Sequence, residues 1–312
     1  MRGQSSDFFH ARNSIIKSEI TVLKDSGSTL NCPSMLCIRR HSQVGIDLTE
    51  MDLRAVKIIQ KDRRWQLLAS TIVPLDSQIP ARLALFKALQ KVREQLAYRH
   101  EKTVIAVDHD AVIHKTLRLE PTLHESEVYR YLQKQSPVLF HAPSQELYYD
   151  YACLTQATAS SNQWHVWVAK QSTIHELVQI MKASHYRLRA VDISDLAVVR
   201  ALHYCGIDTT QEDHCFGILF PKRHQLKIIL FSHQRWHDSL TIDHLHSLDA
   251  ALKYYYQTHA LKKLHCIYYP PEIEKMFEKE VEIPIIPLKI PAFDHRLLTS
   301  LGLALWGSHA FT

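Results

Sequence analysis

Val44-Gly45-Ile46-Asp47-Leu48, a polar turn, Leu53–Ile59, and Trp65 twenty residues after the glycine form an opening that returns later in the chain. There it reads Phe216-Gly217-Ile218-Leu219-Phe220, a turn, Gln225–Phe231, and Trp236 nineteen residues after its glycine. Both openings are runs rich in Val, Ile and Leu broken by short polar turns, the pattern of consecutive strands; in the first copy they cover 43–48, 53–60 and 64–73. Each is followed by a helical pattern. Pro80 opens the first, with Leu83, Phe86, Leu89 and Leu96 near helical spacing; the second runs from Ser247 through Leu248, Ala251, Leu252 and Tyr255. Two such units offset by about 172 residues predict an internal duplication, and two copies do not make a solenoid.

Between the copies, 103–108 and 112–119 read as a strand pair. Thr122-Leu-His-Glu125 then has the spacing of a capping box that opens a helix to about Gln135. Strands at 146–154 and 164–169 precede a helix from Ser172, with Ile174, Leu177, Val178 and Met181 on one face. A strand at 187–192 and a helix capped by Ser194 follow, ending at Tyr204 before a Cys205-Gly206 C-cap. After the second opening come a buried strand at 264–269, a short helix after Pro271 and a final apolar stretch, Leu297–Trp306. The expected division is a loosely ordered extension over 1–42, a first lobe over 43–204 with an inserted segment at about 103–170, and a second lobe over 205–312. Met35 is a second plausible start.

Composition narrows the function. The 312 residues are 46% hydrophobic and 22% charged, ordinary globular values, and the net charge of +5 is not that of a dedicated nucleic-acid binder. Six scattered cysteines without a CxxC predict reduced thiols in a cytosol, and Cys32 and Cys37 make a poor metal pair. Apolar runs such as Phe216–Phe220 and Ile228–Phe231 fall far short of the ~18 residues of a spanning helix. The unusual feature is glycine. There are seven, about 2% of the chain against an average near 7%, and backbone that wraps phosphates needs glycine for close approach. No nucleophile elbow is present. His233 and His237, with Asp243, His244 and His246 nearby, lie in strand context, where i, i+4 rings stand about 13 Å apart. No catalytic or metal residues are therefore expected. Lys222-Arg223-His224 reads as a polar hairpin turn, and the charges from Arg93 to Lys102 as a solvated helix face.

A duplicated βββαβα unit with an inserted α/β segment resembles the actin-like ATPases, a duplicated ribonuclease-H-like (actin/FtsA-like) two-lobed α/β fold. Residues Gln43 to Trp306 are similar to the type IV pilus assembly protein PilM family. The likeness rests on Gly45-Ile-Asp-Leu, on Val104–Asp108 leading to Val112–Leu119 and Pro121, and on the helix from Thr122. It extends through Pro143 before Glu146–Tyr151, Trp164–Lys170, Val191-Asp192, and Leu301-Gly-Leu-Ala-Leu305. The resemblance implies three nucleotide motifs, and this chain departs from each. Asp47 is kept, but Thr49 stands where an Asp-x-Gly turn has glycine. The second turn reads Leu219-Phe220-Pro221, and the adenosine-side glycine pair is replaced by Tyr268-Tyr269-Pro270-Pro271. Asp47 then reads more simply as a turn former. The expectation is that neither ATP nor Mg is a cofactor.

What the resemblance leaves is a degenerate ATPase acting as a cytoplasmic adaptor at the inner-membrane face. In that family the N-terminal cytoplasmic peptide of the inner-membrane protein PilN is taken into a groove beside the inserted segment. Other pilus platform or motor components are further possible partners. An extended peptide needs a strand edge or cleft and apolar pockets for alternate side chains. Leu117, Leu119 and Pro121, with Tyr148, Tyr149, Asp150 and Tyr151, offer that material, although alternate residues of such strands also fill a core. The alternatives are a nucleotide-binding switch of the same family, a competence or DNA-uptake relative, and a secretion-platform domain.

Overall fold

The computed structural model describes residues 41–62, 64–120, 122–158, 161–207, 215–222, 225–232, 235–258, 263–276, 282–290 and 293–307. Residues 1–40, with Cys32 and Cys37, and Pro121, Arg223, His224 and His233 lie outside them. The chain divides into two units, Met1–Ser194 with Thr299–Thr312 and Asp195–Leu298.

In the first unit β1 (Ser42–Leu48), β2 (Asp52–Lys61) and β3 (Arg64–Pro74) form an antiparallel meander. Parallel neighbours can join β1 only through a crossover, and α1 (Ala81–Gln95) makes it to β4 (Lys102–Val107). Its buried Ala84, Ala88, Leu89 and Val92 recur at helical spacing. From β4 the chain leaves through β5 (Val112–Leu119), α2 (Glu125–Phe140), β6 (Leu147–Thr158) and β7 (Ser161–Lys170). It returns by α3 (Gln171–Ala183) to β8 (Arg187–Ile193), parallel to β4. The sheet order is β3-β2-β1-β4-β8. Thr103–Val107 of β4 are all buried, as a strand covered on both faces must be. Lys57 is buried with its ammonium 2.6 Å from Glu101 Oε1, and it donates to the carbonyls of Leu96 and Ala97 at 3.1 and 2.9 Å.

The second unit begins with α4 (Ser194–Tyr204) and repeats the scheme. The strands β9 (Cys215–Lys222), β10 (Gln225–Ser232) and β11 (Arg235–Ile242) are an antiparallel meander. Then α5 (Leu248–Thr258) leads to β12 (Cys266–Tyr269), parallel to β9, and β13 (Ile285–Pro287) follows. The order β11-β10-β9-β12-β13 is the first sheet's order again. Gly45 lies between Val56 and Val104, and Gly217 between Leu230 and Ile267, so the two glycines occupy matching places. Leu219, Ile228, Leu230, Leu248, Leu252 and Ile267 form this unit's core.

The last helix, α6 (Leu298–Ala304), differs from expectation. The sequence division places 205–312 together, whereas, among the described residues, 299–307 belong with the first unit. The reason lies at Gly45. A Cβ there would stand 2.0 Å from the Ser300 carbonyl oxygen and 2.3 Å from the Ala304 nitrogen, so the helix backbone rests directly on β1. Leu301, Leu303 and Leu305 are buried beside it. The Arg189 guanidinium covers the Trp306 ring at 4.8 Å and donates to Gln43 Oε1 at 3.0 Å.

Candidate functional site

The segment from β5 to β7 builds a sheet of its own, antiparallel throughout, in the order β5-β7-β6. Successive strand residues face opposite sides. Trp164, Val166 and Val168 of β7 point to one face, where they meet Leu119, Leu147 and Tyr149, and α2 closes this core with Val128, Leu132 and Phe140. His165 and Trp167 lie on the other face. There His165 stacks on His114 with ring centroids 4.7 Å apart and ring nitrogens 2.5 Å apart. Asp150, opposite Trp167, shares this face. Packing desolvates its carboxyl and Asp192 repels its charge; together they hold its pKa well above the usual carboxylate range, although the Tyr151 amide donates to it at 3.0 Å.

The helix α2 starts later and ends later than its sequence predicts. Glu127, not Glu125, closes the capping interaction: its carboxylate accepts the His124 amide at 2.8 Å. The helix passes through Pro137 to Phe140 and ends at His141 in the left-handed region, φ 53°. The Ser136 hydroxyl donates to Ala142 O at 2.8 Å across this end. This longer helix presents its outward face to the beginning of β6. Tyr129, Arg130, Gln133 and Lys134 on one side, and Leu147 and Tyr148 on the other, line a groove of about 510 Å³. Because β6 is an edge strand, half of its backbone N–H and C=O groups point away from β7. The groove therefore combines strand edge, apolar area and aromatic rings, the requirements for an extended peptide.

Of the residues singled out from the sequence, Tyr148 lines this groove, and its hydroxyl lies 2.8 Å from His175 Nε2. Leu119 and Tyr149 belong to the core, and Leu117 and Tyr151 pack against it. Tyr149 gives its hydroxyl to Ser136 Oγ at 2.8 Å, and Tyr151 to Glu125 O at 2.9 Å, which ties the strand to α2. Asp150 faces the opposite side, and Pro121 is outside the described residues. The alternation of β6 thus divides Tyr148 and Asp150 from Tyr149 and Tyr151. The α2 residues were missed; their signal is a helix face carrying Tyr129, Arg130 and Lys134 at i, i+1 and i+5.

The nucleotide-motif positions have local partners. Asp47 is buried near the end of β1, opposite Arg54. Thr49 knits the following turn: its hydroxyl accepts the Met51 and Asp52 amides at 3.2 and 3.0 Å and donates to Asp52 Oδ1 at 2.8 Å. In the second unit Pro221 lies in β9 opposite Leu226. The buried Lys227 ammonium pairs with Asp195 Oδ1 at 2.6 Å, and the Ser239 hydroxyl donates to the same carboxylate. Tyr268 pairs with Ile218 and Ile286, its ring edge-on to Phe216 at 5.9 Å. The following Tyr269 and Pro270 are buried. His237, on β11, is edge-on to Tyr255. Cys205 follows α4 and precedes Gly206, φ 70°, and burial pushes its thiol up to about 11, away from nucleophilic use.

A family model described as type IV pilus assembly protein PilM matches residues 45–219. No curated protein matches the sequence. Among solved structures, the PilM-PilN type IV pilus biogenesis complex is similar with a TM-score of 0.69 at 13% identity, covering 84% of this chain and 97% of that one. The cytoplasmic domain of EpsL, an inner-membrane component of the type II secretion system of Vibrio cholerae, gives 0.50 at 11%, covering 87% and 100%. A Bacteroides thetaiotaomicron protein with an actin-like ATPase fold gives 0.50 at 12%, covering 86% and 99%. At these identities the likeness carries the fold, and that fold is actin-like.

Proposed function

The chain belongs to the type IV pilus assembly protein PilM family, and from this we propose that it is an adaptor of the pilus assembly platform that works without hydrolysing ATP. The groove between α2 and the β6 edge takes the N-terminal cytoplasmic peptide of a PilN-like inner-membrane protein in extended form. The observation that carries this reading is the groove itself, at about 510 Å³ and walled by Tyr129 and Tyr148 beside an edge strand. The similar solved structure is a PilM-PilN complex, which supports the choice of partner. Among the described residues no helix is long and apolar enough to cross a membrane. The adaptor reaches the cytoplasmic face of the inner membrane through its partner.

The glycine-poor turns support the absence of hydrolysis. Phosphate binding by backbone requires N–H groups turned toward the ligand. Thr49 spends the amides of its turn on its own hydroxyl, and Pro221 has no N–H to give. A nucleotide-switched reading has one observation in its favour, the retained and buried Asp47.

Titration calorimetry with the N-terminal peptide of the PilN-like protein from the same genome tests the adaptor. Saturable heat that falls at least tenfold in affinity on Tyr148→Ala is the expected result; no heat, and no competition with the full-length partner, removes the adaptor. Thermal melts with Mg-ATP test the nucleotide. A ligand that binds the folded state must raise Tm, so a saturable shift returns the switch reading.

A further inference from the structure

On the far face of the inserted sheet, away from the groove, lies a cluster that peptide capture does not use. His114 of β5 and His165 of β7 turn ring nitrogens toward each other, His114 Nε2 and His165 Nδ1 being 2.5 Å apart. Trp167 lies against both rings, with centroids 5.6 and 5.5 Å away. His165 is 3% exposed and Trp167 7%, so water has little access to the contact. Other titratable groups approach this face. Asp150 stands on β6 opposite Trp167, and Asp192 of β8 acts on Asp150. The Tyr148 hydroxyl lies 2.8 Å from Nε2 of His175 on α3. Asp108 and Asp110, before β5, are exposed. A neutral imidazole carries one N–H and an imidazolium two. Whatever the outer nitrogens meet, the facing pair has room for one hydrogen, donated by one ring and accepted by the other. The pair therefore takes one proton on an outer nitrogen and keeps this bond. A second proton sets N–H against N–H and two like charges at contact. Burial and Asp192 disfavour the charged form of Asp150, which makes it a poor counter-ion there. Tyr148 and His175 escape this conflict, because a tyrosine hydroxyl donates to neutral imidazole and accepts from imidazolium.

We propose that His114 and His165 form a proton-operated latch on the inserted segment, closed near neutral pH by one hydrogen held between the rings and forced open in mild acid by a second. The sign follows from counting protons. The opened chain protonates both rings near the ordinary histidine pKa of about 6.5, and the closed pair binds one proton fewer. Closure is fully in force above about pH 6.5, and each pH unit below it lowers the ratio of closed to open by up to about tenfold. Asp150 titrates with the opposite sign, since its raised pKa makes the closed state bind the proton more tightly. The latch has a structural load. β5 supplies Leu119 to the core under α2, and Leu117 packs against that core, so release of β5 from β7 unseats the helix. This inference stands independently of peptide capture.

Nitrogen-15 histidine spectra of the full chain between pH 8 and pH 5 test it. The expected result at neutral pH is a scalar coupling between His114 Nε2 and His165 Nδ1, with uptake of one proton by the pair as the pH falls to 6. Below that the coupling disappears. Over the same range hydrogen exchange of β5 and β7 amides, corrected for the intrinsic effect of pH, rises by about fivefold or more per pH unit, while β1 and β4 amides do not change. His114→Gln keeps a group that donates to His165 or accepts from it, so its β5 and β7 exchange stays level. Asp150→Asn, which removes the titration of opposite sign, and His175→Gln, the neighbouring contact, both retain the rise. Two ordinary histidine titrations with unchanged β5 and β7 exchange overturn the latch. So does the same rise in His114→Gln, which puts the acid-sensitive group elsewhere. The spectra need no variant, so a substitution that folds poorly leaves the answer intact.

Discussion

Gly45→Ala puts one methyl group where the last helix already lies. Its Cβ would stand 2.0 Å from Ser300 O and 2.3 Å from Ala304 N, both backbone atoms of α6 that no rotamer change can move aside. Ordinary contact at 3.4 Å requires the helix to retreat by about 1.4 Å. Overpacking alone typically costs about 1–3 kcal/mol. The retreat also opens a gap beneath Leu301, Leu303 and Leu305, which are 2% exposed or less, and a gap of 0.5–1 Å forfeits roughly a quarter to a half of the dispersion well. The expected total is about 3–5 kcal/mol. Gly206→Ala is the comparison: φ is +70° and nothing lies within 4 Å, so only the left-handed penalty of about 1–2 kcal/mol applies. Urea midpoints measure both. Because two units need not unfold together, hydrogen exchange of β1 and α6 amides is followed as well. Gly45→Ala costing no more than Gly206→Ala, or leaving α6 protection unchanged, refutes the reasoning.

Three further outcomes are expected. Lys227→Met strands the buried Asp195 carboxylate without its ammonium, at a cost of about 3–5 kcal/mol in urea unfolding; Lys227→Met/Asp195→Leu recovers most of it, and no recovery means that the charge was not the cause. Asp150 has a raised folded pKa, so the folded state holds its proton more tightly than the unfolded chain, and stability is lost as pH rises from the ordinary carboxylate range through the raised value. Asp150→Asn keeps the acceptor for the Tyr151 amide, and is expected to stabilise the protein at neutral pH and to flatten that slope in melts across pH 4–8; a variant that melts lower at pH 7 contradicts this. Thr49→Gly removes the hydroxyl that knits the β1–β2 turn, costs about 1–2 kcal/mol, and still gives no Mg-ATP shift in Tm, because Pro221 and Tyr268 are untouched.

The duplication was legible because burial on both faces writes itself as unbroken apolar runs, and because Gly45 and Gly217 mark one place in two sheets. The membership of α6 was not: a glycine in a strand announces a close approach without naming the neighbour. The groove was half legible. The alternation of β6 predicts that Tyr148 and Asp150 part from Tyr149 and Tyr151, but not which pair meets α2, and the core takes the second pair. Pro137 hid the last turn of α2: proline has no N–H to donate and its ring crowds the carbonyl four residues back, yet tertiary packing at Phe140 continues the helix. The capping interaction moved by two residues because two acids, Glu125 and Glu127, offer the same spacing motif and only one reaches an amide.

The placement of α6 has a consequence for synthesis. Along the chain, Asp195–Leu298 is a guest within a host whose α6 segment is made after it. On the ribosome β1 emerges before the guest, and the strip over Gly45 stays uncovered until more than two hundred further residues have been translated. The guest can mature first, reversing the usual N-terminal precedence. Any nascent chain stalled before Ser300 carries a bare apolar seam, which marks it for chaperones in a way the finished molecule does not.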